Sequence, residues 1–334
     1  MIFTISCTRW DPAQQESLFD VNSQEQLIVY TSHKEEVYLP IIREFEERTG
    51  IWVEVHTGGT AEIFSEIEEN AEKGICDIVF GGGIESYEAD KDALSPYVTS
   101  EKEALIPEYC SDEGYWTPFT SLPIVFVYNN RLLSEDRVPA GWKELLYDDE
   151  WKGQIAFADP LNSGTSYTIL SAFIQLFGEG DAPEEEVISR FAGQLDGRLL
   201  SSSGDILPEV SDGDYLVGIT LEETALKYMA TGSDISMYYP AEGTCVVPDG
   251  CAVVKNAPHG YNAGLFIDFI AGKDVQNFAM ENFRRRSVRT DLDEGVFFEG
   301  IESIDLDIYR AGKDEDRVLS LWSRLMGSKE EEEP

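Results

Sequence analysis

From residue 26 onward, short β-branched runs alternate with amphipathic stretches, and most runs stop at glycine, serine or threonine. This alternation limits the fold more than any other feature. QLIVYTS (26–32) reads as a strand, and VYLPIIREFEERTG (37–50) carries apolar residues at helical spacing with Gly50 as a stop. IWVEV (51–55) and CDIVFGGG (76–83) are two further strands, with the helix TAEIFSEIEENAEKG (60–74) between them. Strand and helix at this pitch predict a parallel sheet with right-handed crossovers.

Further on the pattern changes. YWTPFTSLPIVFVYNN (115–130) is long, extended and broken by prolines, which suits a strand passing between domains. A second α/β set follows: QIAFADP (154–160), a helix from about Ser166, RLLSSS (198–203), a helix, then YLVGIT (215–220) and a helix from Glu222. ISMYYPAEG (235–243) is a second extended stretch, after which CAVVKNAPHGYNAGLFIDFIAG returns to strand and amphipathic helix. Two extended stretches around one α/β set predict two chain crossings between two lobes. The expected division is 25–117 with 240–285 for lobe one and 118–239 with 286–327 for lobe two. Residues 328–334 form an acidic, disordered tail in this reading.

The chain's 334 residues, 42% of them apolar, are enough for two such cores. There are 64 Asp and Glu against 25 Lys and Arg, a net charge of −39. Such a surface repels nucleic acid and anionic bilayers, which excludes a nucleic-acid partner; it reads as a solubilising or salt-adapted surface. No run reaches the roughly 20 apolar residues of a membrane span. MIFTISC at the start resembles the end of an export signal with a lipoprotein-type cysteine, so Cys7 is a candidate lipid anchor and residues 8–24 a tether. A short N-terminal strand with an incidental cysteine is the plainer alternative. Cys245 and Cys251 flank a turn-like VVPDG, which fits either a cross-strand disulfide or two buried thiols. Cys76 and Cys110 cannot be paired from sequence.

Four small-residue clusters fall where strands give way to helices: Tyr30-Thr31-Ser32, Gly81-Gly82-Gly83, Asn162 to Ser166, and Ser201-Ser202-Ser203. Thr57-Gly58-Gly59-Thr60 is a fifth. A helix start exposes unpaired N–H groups and partial positive charge, and small hydroxyl residues let an anion approach. Any one cluster also reads as an ordinary cap. Together, at the carboxyl ends of strands in two lobes, they predict a crevice for a small anion. Glu222, directly after a strand, can accept from a ligand hydroxyl or ammonium, or simply favour a helix first turn. Tyr239 can stack on a ligand or pack the hinge. Arg284-Arg285-Arg286 with Arg289 fits a solvated or salt-bridged face better than a phosphate clamp. No metal-binding histidine spacing, Cys-x-x-Cys, nucleophile elbow or phosphate loop is present, so neither a catalytic site nor a cofactor is expected.

At this point the residues resemble a known family, the bacterial extracellular solute-binding proteins of the ferric, 2-aminoethylphosphonate and hexose-phosphate group. The matching stretches are LIVYTSH (27–33), DIVFGGG (77–83), WKGQIAFADPLNSGTSYT (151–168), Asp196-Gly197 with Ser201 to Ser203, DGDYLVGITLEETAL (212–226), YYPAEGT (238–244) and RRRSVRTD (284–291). The resemblance implies a two-lobed α/β fold of the type 2 periplasmic-binding-protein kind, with two extended hinge strands and a ligand cleft between the lobes. It implies ligand contacts from Ser32, Gly82 and Gly83 in lobe one, and from Ser163, Gly164, Thr165, Ser202, Ser203 and Glu222 in lobe two. It further implies a monomeric, non-catalytic, extracytoplasmic protein that hands its solute to an ABC permease or a sensor histidine kinase. Ferric members place two consecutive tyrosines after the strand that here reads VGIT, where this chain has Leu221-Glu222-Glu223, although His33 matches a ferric-family histidine position. The pattern therefore points to an organophosphate, with ferric iron as the alternative solute and a two-lobed phosphate-ester hydrolase as the competitor from another class.

Overall fold

The computed structural model describes residues 23–330, apart from 71, 179–182, 294 and 296–299. Cys7 and most of the expected tether lie outside the described residues.

Strand β1 (Gln26–Thr31) is followed by helix α1 (Glu35–Thr49), which buries Val37, Ile41, Ile42 and Phe45. The helix stops at Gly50, whose positive φ of 73° lets its amide bond back to the Glu46 carbonyl. Strand β2 (Trp52–Thr57), helix α2 (Thr60–Glu69) and strand β3 (Ile78–Gly83) complete the first set. β1 lies between β2 and β3 and is parallel to both, as the alternation requires. The short helix α3 (Ile84–Ala89) and strand β4 (Leu94–Ser95) follow.

Strand β5 (Thr117–Asn129) joins the two halves, and all thirteen residues are buried. Thr117 to Pro123 pair with the later strand β9 (Val246–Val254), whereas Ile124 to Asn129 pair with β7 (Val217–Leu221) and β8 (Ile235–Tyr238). Pro118 and Pro123 have no N–H to give a ladder, and the register shifts between Pro118 and Ser121, which re-aims the strand. Beyond it come α4 (Trp142–Tyr147), β6 (Ile155–Ala156), α5 (Gly164–Phe177), α6 (Glu184–Leu195), α7 (Ile206–Asp212), β7 (Val217–Leu221), α8 (Glu222–Met229) and β8 (Ile235–Tyr238). The chain then returns through β9 (Val246–Val254), α9 (Gly260–Ala271), α10 (Lys273–Phe278), β10 (Arg286–Ser287) and the long α11 (Ile308–Glu330).

Apolar packing separates into two main bodies. One joins β1–β3 to α1 and α9 through Val29, Phe45, Phe80 and Phe266. The other surrounds Phe126, Trp142, Phe157, Phe173 and Phe191, with Trp322 of α11 buried beside them. This is the two-lobed α/β architecture expected from the alternation.

Several local expectations change. The second set has short strands: 154–160 is ordered as Ile155–Ala156, and 198–203 contributes a single parallel bridge, Leu200 to Ala158. β8 stays in the second half, paired with β5, so the returning crossing falls after it, where the chain enters β9. Cys245 immediately precedes β9 and Cys251 lies within it, about 20 Å along one strand at 3.3 Å per residue. A disulfide needs Cα atoms closer than about 7 Å, so the cross-strand pairing fails and the two are buried thiols. α11 ends at Glu330, inside the acidic stretch expected to be a tail.

Candidate functional site

The carboxyl ends of β1, β2 and β3 meet. Gly81 and Gly82 have φ values of 104° and 84°, and a methyl group on Gly82 would lie 2.6 Å from Thr60 Cγ2. Ser32 Oγ is 2.9 Å from where a Cβ on Gly81 would stand. Ser32, Thr60 and the glycine turn are therefore brought together as expected. A methyl on Gly83 would overlap the carboxylate of Glu85, two residues on. Glu85 is buried, and Thr168 of α5 places its hydroxyl 3.1 Å from Glu85 Oε1 and 3.1 Å from the Gly164 carbonyl. This contact joins the glycine turn of one lobe to the first turn of α5 in the other.

On the second lobe, Ser163 caps α5: its hydroxyl accepts from the Ser166 amide at 3.2 Å. The Gly164 and Thr165 amides, at the first two positions of the helix, have no intrahelical acceptor. Ser202 likewise accepts from the Gly204 amide at 3.1 Å, and Ser203 opens that short turn. The Ser163 and Ser202 hydroxyls thus serve as caps, and it is the backbone N–H groups of α5 that stay open.

Glu222 is committed elsewhere. It is 1% exposed and receives Nε and Nη2 of Arg286, each at 2.8 Å, in a two-pronged bond. Tyr239 donates its hydroxyl to the same carboxylate. β8 brings Tyr239 to the start of α8, while Tyr238 turns away to the Pro139 carbonyl. The neighbouring Glu223 meets Arg285 at 3.3 Å and Lys227 at 2.9 Å. Burial pushes the Glu223 carboxyl up, but Arg285 and then Lys227 outweigh it and hold it below the ordinary range. Arg285 also reaches Asp249 at 2.6 Å, and Asp249 lies 3.5 Å from His33 Nε2. His33 is held well below the usual imidazole range, by burial first and by Arg285 second. Lys227 continues the chain to Glu36 on α1 at 3.0 Å. The arginine run is salt-bridged, as read from sequence, but Arg285 and Arg286 are inside the protein rather than on a solvated face.

A cavity of about 1170 Å³ opens between the lobes. Thr60, Ser163 and Gly164 line it; Ser32, Gly82, Gly83, Thr165, Ser202, Ser203, Glu222 and Tyr239 are not on its wall. Its far side is acidic, with Glu62 and Glu68 of α2, Glu88 and Asp90, and Asp307, Asp314, Glu315 and Asp316 near or on α11, against Arg310 and Lys313. Burial, then Glu68 and Asp316, push Asp90 up to about 6. Burial, then Glu85, Asp90 and Asp316, push Glu315 up to about 7. Glu85, Thr168 and this acidic wall were missed in the sequence, because helical spacing shows which residues are buried but not which lobe they face.

A family model described as bacterial extracellular solute-binding protein matches residues 84–295. The chain belongs to this family. It is a solute-binding protein of the ABC-import type, and relatives of it are named as uptake or binding proteins. It is 25% identical over 275 residues to iron uptake protein A1 of a Synechocystis species, covering 78% of this chain and 74% of that one. AfuA of Actinobacillus pleuropneumoniae, solved with fructose-6-phosphate bound, superposes with a TM-score of 0.80 at 22% identity, over 90% of this chain and 98% of that one. A two-component system protein that mediates signal transduction has a TM-score of 0.72 at 26% identity, over 79% of this chain and 87% of that one. Among the described residues of the solute-binding protein, no helix is long and apolar enough to cross a membrane.

Proposed function

We propose that the chain is an extracytoplasmic solute-binding protein whose solute is a small organophosphate, a sugar phosphate or phosphonate, held between the lobes for an ABC importer or a sensor kinase. The observation that carries this reading is the meeting of two amide-rich starts across the seam: the Ser32, Thr60 and Gly82-Gly83 cluster on one side, and Ser163, Gly164 and Thr165 on the other. The first N–H groups of α5, which have no intrahelical acceptor, suit a phosphoryl oxygen, and the acidic cavity wall suits a hydroxyl- or ammonium-bearing remainder. Glu222 and Tyr239, locked to Arg286, serve as a rigid buried support rather than as ligand contacts. The lobes divide as 25–117 with 240–285 and 118–239 with 286–327, and the protein acts as a monomer, tethered through Cys7 if that residue is lipidated.

Ferric iron is the second reading, favoured by the names of curated relatives such as iron uptake protein A1. Against it, the Arg285 guanidinium already stands between Asp249 and Glu223 beside His33, so the carboxylates nearest that histidine are neutralised. Thermal-shift titration separates the two. Fructose 6-phosphate or 2-aminoethylphosphonate should raise the midpoint progressively with concentration, as any ligand selective for the folded state does. Stabilisation by ferric citrate with no response to any phosphorylated compound would overturn the organophosphate reading.

A further inference from the structure

Helix α11 belongs to one lobe and lies against the other. Its second half is built into the second apolar body, where Val318 and Trp322 are buried. Trp322 donates its indole N–H to Asp159 at 3.2 Å, and Arg317 and Arg324 pair with Glu184 and Glu185 of α6 at 2.7 and 3.0 Å. The first half crosses the seam to α3, whose Ile84 and Tyr87 pack with Phe64 and Ile67 of α2 and Val79 of β3 in the first lobe. The approach is close, since a methyl on Gly312 would collide with the Glu85 carbonyl. Beside it the Tyr167 hydroxyl donates to the Ala311 carbonyl, which ties the crossing point to α5.

The charges at this crossing are mostly of one sign. Glu62, Glu68, Glu88 and Asp90 stand on the first lobe, and Asp307, Asp314, Glu315 and Asp316 stand on or just before α11, all on the wall of one cavity. The cations among them do not bridge the gap. Arg310 lies 3.7 Å from Asp314 and Arg317 lies 3.1 Å from the same carboxylate, both within α11, while Lys91 meets Glu88 at 3.3 Å within the first lobe. Burial first, and then neighbours that are all carboxyls, raise Asp90 and Glu315: Glu68 and Asp316 act on Asp90, and Glu85, Asp90 and Asp316 act on Glu315. Each therefore feels acids of the opposite lobe.

Elsewhere along the seam the contacts are attractive. Lys227 of α8 meets Glu36 of α1 at 3.0 Å, and inside the protein Arg285 joins Asp249 to Glu223. The first of these is an exposed pair and contributes little; the second is buried and salt screens it much less. Exposed charges feel one another over about 10 Å at 0.1 M salt and over only about 3 Å at 1 M. Salt therefore relieves the repulsion at α11 while leaving the buried attraction largely intact. The sign of the salt effect is the diagnostic: a seam held by exposed opposite charges loosens as salt rises, and a like-charged seam tightens.

We propose that α11 is an electrostatic strap between the lobes: its acidic first half opposes the acidic faces of α2 and α3, so the lobes stand apart at low ionic strength and close as salt screens the seam. The inference concerns closure alone and holds whichever solute the cleft takes.

The test is small-angle X-ray scattering of the full chain, without ligand, near pH 8, where Asp90 and Glu315 are both ionised. Sodium chloride runs from about 0.05 M to about 1 M, which spans the change in screening length. Wild type is compared with two triple variants. One neutralises the seam through Asp90→Asn, Glu315→Gln and Asp316→Asn. The other carries Glu47→Gln, Glu103→Gln and Glu135→Gln, which remove the same charge from exposed positions off the cavity wall. The radius of gyration of wild type should fall by about 1 Å across the series, against the roughly 20 Å of a compact chain of this length. The seam variant should be compact already at low salt and change little, and the surface variant should follow wild type. Glu315→Gln alone should remove part of the wild-type fall, so the outcome does not depend on the triple variant folding. A wild-type radius that stays constant or rises with salt, a seam variant that keeps the full fall, or two triple variants that lose it equally would overturn the inference.

Discussion

Replacing Arg286 with methionine isolates one buried charge. Glu222 would keep its 1% exposure while losing both guanidinium bonds, with the Tyr239 hydroxyl left as its remaining side-chain donor. Methionine fills most of the arginine stem's volume, so the loss comes chiefly from charge rather than from a cavity. Removing one partner of a buried pair costs about 3–5 kcal/mol, against about 0–1 kcal/mol for an exposed pair. Urea unfolding near pH 8, followed by tryptophan fluorescence, should show the larger loss. The deficit should shrink towards pH 5, because an orphaned buried carboxyl can take up a proton. Replacing Glu222 with leucine in the same variant should restore most of the stability, since an apolar pair leaves no charge unpaired. A loss below about 1 kcal/mol for Arg286→Met would refute the view that this pair is buried and mutually dependent.

Other consequences follow from the same geometry. Glu315, pushed up to about 7 from the ordinary 4.5, holds a proton in the folded chain that the unfolded chain has released, so its contribution is lost as pH rises through that window. Glu315→Gln should therefore raise the unfolding free energy by about 3 kcal/mol near pH 8 and leave it unchanged near pH 4; equal effects at both would contradict the assignment. Phe173 is fully buried, with ring centroids 4.3 Å from Phe191 and 5.2 Å from Trp142, so Phe173→Ala should cost about 3–5 kcal/mol in denaturant unfolding. Cys76, Cys245 and Cys251 are buried thiols, so a thiol reagent should reach them only after unfolding, and reductant should leave the melting midpoint unchanged. A midpoint that falls on reduction would point to a pairing this structure does not contain.

How far the chain could be read depended on the range of the interaction. β1, α1 and β3 were legible because a β-branched run, a helical stripe and a glycine stop are local signals, and the parallel order followed from their alternation. The convergence of Ser32, Thr60 and Gly82 was legible for the same reason, since strand ends in a parallel set must meet. What failed was long-range. Cys245 and Cys251 looked like a hairpin because VVPDG resembles a turn, but buried β9 runs straight through it, with its proline and glycine placed against β5. Tyr239 stands seventeen positions from Glu222, and only the fold-back of β8 brings the two together. Glu85 carried no signal at all: an acid near a helix start is the ordinary dipole preference, and only the approach of Thr168 from the other lobe shows it to be enclosed.

The central claim is that open amides from two lobes close on a single phosphoryl group. A crystal structure of the protein with fructose 6-phosphate tests this most directly. The account expects phosphoryl oxygens about 3 Å from amide nitrogens in both the Gly82-Gly83 turn and the first turn of α5. A phosphoryl group held by one lobe alone, or a metal ion bound at Tyr239 and His33 with Arg285 displaced, would contradict it.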